Sequence, residues 1–105
     1  MDLVAFTIFF CQKHNKFILV ENIYKTIPNN YFQNLDNCEN NDIINIGYIT
    51  FNNGSITGDM SIEKISYNIN YDIVSSSNKD EIVKYIISWL NTKFNKIIIM
   101  DDIHF

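Results

Sequence analysis

A chain of 105 residues with eight lysines, no arginine, twelve acidic residues and a net charge of −4 lacks the basic footprint that nucleic-acid binding requires. Without arginine it also lacks the bidentate fork that grips phosphate or carboxylate. Its length suits one domain with a real core, its 47% hydrophobic content argues against disorder, and no apolar run is long enough to cross a bilayer.

Residues 3–10 are apolar on both alternating sets, the pattern of a strand covered on both faces. Asp2 precedes them, and neither a basic flank nor a small-residue cleavage site is present, so the stretch is not expected to be a signal peptide. A polar turn, Lys13-His14-Asn15-Lys16, follows. Residues 17–27 read either as a helix or as a strand returning in a hairpin. The hairpin is favoured, because the turn is short and Pro28 restrains Ile27.

Residues 28–42 are rich in asparagine and form a loop by pattern, with room for a short helix over 31–35. This loop carries Tyr31, Phe32, Asp36, Glu39 and Asp42. Long loops on rigid scaffolds often bind partners, though aromatic side chains in them also serve to pin the loop to the core.

Residues 43–51 predict a strand with Ile44, Ile46 and Tyr48 on one face and Ile49 and Phe51 on the other. Asn53-Gly54 marks a hairpin, since both positions tolerate positive φ. Residues 55–57 would begin the returning strand, and Gly58-Asp59 would break it with a bulge or second turn. Residues 62–73 then alternate Ile65, Tyr67, Ile69, Tyr71 and Ile73 with polar residues, a strand with one wet face.

The spacing of Ile82, Val83, Ile86, Ile87, Leu90 and Phe94 predicts a helix over about 79–94. Asn78 with Glu81 resembles a capping box, and Asn95 suits the C-terminal cap. Residues 97–100 form an apolar strand that should run parallel to the strand before the helix, through a right-handed crossover. The expected architecture is a single α+β domain over 1–105. An antiparallel or mixed sheet of about five strands carries one long helix on one face.

Candidate chemistry is sparse. Cys11 and Cys38 form no C-x-x-C, and Cys11 ends an apolar strand, so buried reduced thiols are expected, with a Cys11–Cys38 bridge as the alternative. Reduced thiols and the lack of a targeting segment favour a reducing compartment. Asp102 and His104 could reach one metal ion from a strand, but a charged tail is the favoured reading. His14 sits among lysines in a turn, and chain proximity to Cys11 does not make the two a catalytic pair. Gly47, Gly54 and Gly58 make no phosphate-binding loop, and nothing selects a carboxylate pair from Glu21, Asp59 and Glu63. No enzyme, cofactor or metal is expected, and neither nucleic acid nor membrane is an expected partner. The surface candidates are the acidic groups Asp36, Glu39 and Asp42, the pair Asp101 and Asp102, and the aromatic residues Tyr31, Phe32 and Phe105.

Small size, acidity, an isoleucine- and asparagine-rich composition of the kind AT-rich codons give, and a single domain without an enzyme motif together resemble the small acidic immunity proteins of bacterial contact-dependent toxin systems. The resemblance implies a cytoplasmic inhibitor that neutralises a cognate toxin, often a basic nuclease. Asp36, Glu39 and Asp42 would then face basic groups of the toxin. The alternative is a self-associating structural or viral host-interaction protein, with a homo-oligomer built through a sheet edge.

Overall fold

The computed structural model describes residues 4–21, 31–52, 54–72 and 79–102. Strands β1 (Val4–Cys11) and β2 (Lys16–Glu21) form an antiparallel hairpin, so residues 16–21 are strand and not helix. A short helix, α1 (Tyr31–Asp36), and a 3-10 turn at Asn40–Asp42 lead into β3 (Ile43–Asn52), β4 (Ser55–Ile62) and β5 (Ile65–Asp72). Helix α2 (Lys79–Phe94) and strand β6 (Ile97–Asp102) follow. The sheet order is β5-β4-β3-β1-β2-β6, five antiparallel strands with β6 added parallel to β2.

Pairing fixes the directions of β5 and β6. Each antiparallel partner reverses the chain, so β5 and β6 point the same way, as the sequence predicts, yet they form opposite edges of the sheet. The helix therefore returns the chain across the width of the sheet. Its buried row of Ile82, Ile86 and Leu90 packs on Phe6, Ile8, Phe17, Leu19, Ile49, Phe51 and Ile56 from four strands. Lys84, Ser88 and Asn91 face water, as the helical periodicity requires. Asn95 ends the helix at φ 51°, with its N–H donated to the Asn91 carbonyl at 2.7 Å. The proposed cap at Asn78 lies outside the described residues, as do Ile73, His104 and Phe105.

Two expectations are corrected, and the cover of β5 by the helix is partial. β4 runs unbroken through Gly58-Asp59, and the reversal falls at Glu63-Lys64, where φ is 52° and 66°. Two consecutive positive φ values give the tight turn whose twist matches a hairpin, so residues 62–73 are not one strand. In β3, the ladder slips between Ile8 and Phe9, whose partners are Gly47 and Asn45. Ile46 is the extra residue of this bulge and turns into the core beside Ile49, leaving Tyr48 on the opposite face. Lastly, the helix covers only part of β5. Tyr67 meets Phe94 at 5.1 Å and Tyr71 accepts a 2.7 Å hydrogen bond from the Trp89 indole, but Ile65 stays 53% exposed.

The two sheet faces are covered differently. On the face away from α2, Phe9, Cys11, Ile18 and Val20 form a second buried cluster with Phe32 and Cys38. Helix α1 thus caps the β1–β2 half of that face, while among the described residues no helix covers the β3–β5 half.

Candidate functional site

Two regions of this second face carry side chains that could act on something else. The first is the segment from Cys38 to Asp42. Asn37, at φ 51°, ends α1 by donating its N–H to the Gln33 carbonyl at 2.9 Å. The left-handed residue turns the chain so that Cys38 points back at the sheet. There Cys38 is bonded to Cys11 in a disulfide, with the Cα atoms 6.6 Å apart. The expectation of two reduced thiols is therefore corrected. Both cysteines are fully buried, and the contact of Phe32 with Phe9 (ring centroids 5.0 Å apart) brings α1 into register for the bridge. Four residues later, the Gln12 N–H donates to the Asp42 carbonyl at 2.9 Å. The segment is thus anchored at both ends to consecutive residues, Cys11 and Gln12, and Glu39 projects into solvent between the anchors.

His14 lies in the β1–β2 turn beside the bridge. One donor atom from each of Cys11, His14 and Cys38 falls within 4.8 Å of the others. The sequence alone gives a weak sign of this, a Cys-x-x-His spacing across a hairpin turn, while Cys38 joins only through the fold.

The second region is the open face of β3, β4 and β5. Tyr48, Asp59 and Asn68 are cross-strand neighbours in register. The Tyr48 hydroxyl donates to one Asp59 carboxylate oxygen at 2.9 Å, and the Asn68 amide donates to the other at 2.9 Å. The hydrogen bond to Asp59, and next the negative charge of Asp59, raise the Tyr48 phenol above its ordinary pKa. A shallow depression of about 580 Å³ adjoins this trio, with Asn45, Gly47, Ser61 and Ser66 on its walls. Sequence reading missed the trio because it broke β4 at Gly58-Asp59, whereas an unbroken β4 and a turn at Glu63-Lys64 set Asp59 between Tyr48 and Asn68.

The other residues singled out from sequence are scattered. Phe32 is buried at 5% exposure, a core residue and not the surface anchor expected of it, while Tyr31 is half-buried against its ring at 5.1 Å. Asp36 ends α1, and Asp42 is half-buried in the 3-10 turn. Asp101 and Asp102 lie on β6 opposite Val20 and Glu21, on the far side of the sheet from β3–β5. Glu21 is buried in β2, Asp59 is in mid-β4 and Glu63 is in the β4–β5 turn, so these carboxylates do not converge. No helix among the described residues is long and apolar enough to cross a membrane. Comparison with protein-family models, with curated proteins and with solved structures finds no match for this chain.

Proposed function

We propose that the chain is a protein-binding inhibitor of the immunity-protein kind, which engages a basic partner such as a toxin nuclease domain through the acidic segment Asp36, Glu39 and Asp42. The double anchoring of residues 38–42 to Cys11 and Gln12 carries this proposal. A loop ordered before binding loses less conformational freedom when it docks, so more of its contact energy appears as affinity. A net charge of −4 adds long-range attraction toward a basic surface. Tyr31, half-buried at the start of α1, adds aromatic area to the same stretch of chain.

Compartment matters to this proposal. In an oxidising compartment the bridge persists. In a reducing cytoplasm, the location the resemblance implies, thiol reductants open it unless another link takes over.

The test is capture of partners by the tagged chain from its native cell, followed by titration of the purified pair. A single stoichiometric basic partner is expected. Its affinity should fall at least tenfold in the triple variant Asp36→Lys, Glu39→Lys, Asp42→Lys, and more steeply at low salt. An unchanged affinity would remove the acidic segment from the interface.

A second class is favoured by β5. It is an edge strand, and Ile65 and Tyr71 on it are 53% and 39% exposed. Such an edge can add a strand from a second copy of the chain. Recovery of the chain alone, at a fixed multiple of 12.3 kDa that Ile65→Lys reduces to the monomer, would replace the inhibitor proposal with self-assembly.

A further inference from the structure

We propose that Cys11, His14 and Cys38 form a zinc site that replaces the Cys11–Cys38 disulfide when the bridge is reduced. Such a link lies within the chain and is independent of any partner.

The donors are placed by backbone features that do not need the sulfur–sulfur bond. Cys11 is the last residue of β1, and the hairpin turn that ends with Asn15 at φ 55° brings His14 back beside it. Cys38 is set by the end of α1, where its N–H donates to the Phe32 carbonyl at 3.2 Å, and by the burial of Phe32. The three donor atoms already lie within 4.8 Å of one another. Two thiolates on a tetrahedral zinc ion, each about 2.3 Å from the metal, sit roughly 3.8 Å apart. The Cα separation of 6.6 Å is near the upper end of the disulfide range, about 4.4–6.8 Å, so the sulfurs can part by side-chain rotation without drawing the backbone apart.

The donor set selects the ion. Two thiolates and an imidazole suit zinc, whereas calcium and magnesium require oxygen ligands. Among the described residues no fourth histidine, cysteine or carboxylate joins the group, which leaves the fourth position of the tetrahedron to water.

A dithiol reductant gives two electrons and two protons to the sulfur–sulfur bond and itself becomes a disulfide. Cys11 and Cys38 are then thiols. A zinc ion displaces both thiol protons to solvent and gains two zinc–sulfur bonds and one zinc–nitrogen bond. Oxidation by a two-electron disulfide oxidant reverses the sequence and expels the ion. Residues 38–42 thereby stay tied to the β1–β2 turn in either redox environment.

Cobalt(II) is the optical probe, because its thiolate charge-transfer and tetrahedral d–d bands report sulfur ligation directly. The full chain, reduced by a phosphine under inert gas, should take up one equivalent of cobalt(II), and zinc should displace it. Zinc uptake should release protons, since thiols must ionise to bind the ion. The oxidised chain should show no such bands. Cys38→Ser should abolish them, and His14→Gln, a change in a half-exposed turn, should weaken binding at least tenfold while circular dichroism stays unchanged. Zinc should also raise the denaturation midpoint of the reduced wild type and not that of His14→Gln. Four results overturn the proposal: no cobalt bands in the reduced chain, equal binding by the oxidised chain, wild-type affinity in His14→Gln, or a reduced chain that unfolds and is not refolded by zinc.

Discussion

The carbonyl oxygen of Asp59 stands 2.0 Å from where a Cβ on Gly47 would be, and the Tyr48 carbonyl oxygen stands 2.2 Å from the equivalent point on Gly58. The two glycines thus let β3 and β4 approach closely where Tyr48 and Asp59 pair on the open face. Gly47 also holds φ at +154°, a value side chains rarely adopt. Backbone obstructs both positions, so no neighbouring rotamer change can relieve the clash. Gly58→Ala should destabilise the domain by about 3 kcal/mol, and Gly47→Ala by more, because strain adds to overlap. Urea denaturation of the two variants checks this. A wild-type midpoint for Gly58→Ala would mean that the strands can separate there at little cost.

The disulfide joins cysteines separated by 27 positions in the chain. Constraint of the unfolded chain by a loop of that size is worth about 3.5 kcal/mol in the chain-entropy account. Cys11→Ala with Cys38→Ala, measured in the presence of a chelator, should lose that amount plus the packing of two buried sulfur atoms. A loss below about 1 kcal/mol would show that α1 is held by Phe32 and its neighbours alone.

Helix α2 offers a paired test of which residues hold the layers together. Leu90 is fully buried, whereas Ser88, two residues earlier, is exposed. Leu90→Ala should cost about 2–5 kcal/mol, since it removes apolar contacts and leaves a cavity against the sheet. Ser88→Ala should stay within roughly 0.5 kcal/mol of wild type. Equal effects in thermal denaturation would contradict the assigned helix face.

Local periodicity made the helix, its cap at Asn95 and the strands readable, because those features depend on neighbours three, four or two residues away. The antiparallel pairing of β3 with β4 was legible for the same reason. What sequence could not supply were the long-range choices. Ile46 enters the core on the same side as Ile49 only because β1 and β3 slip by one residue. Glu63-Lys64 lacks the glycine that usually signals a two-residue turn, so β4 and β5 read as one long strand with a break in the wrong place. Of the candidate site, the acids around Glu39 were visible from composition. Their anchoring was not, because Cys11 and Cys38 come together through the packing of Phe32 on Phe9.

Tyr48 gives the pH-dependent prediction. Its phenol is raised above its ordinary pKa, chiefly by the hydrogen bond to Asp59 and then by the charge of that carboxylate. The folded chain therefore keeps this proton to a higher pH than the unfolded chain does. The stabilisation it represents is fully present below the unfolded pKa and is lost as pH rises through the folded one. In a tyrosinate absorbance titration, Tyr48 should contribute a component that ionises above the ordinary phenol range. Tyr48→Phe should remove that late component, and Asp59→Asn should move it to lower pH by taking away the negative charge. The gap in urea midpoint between wild type and Tyr48→Phe should shrink as pH rises through the late transition. If the late component survives in Tyr48→Phe, the cross-strand hydrogen bond from Tyr48 to Asp59 is not what holds the proton.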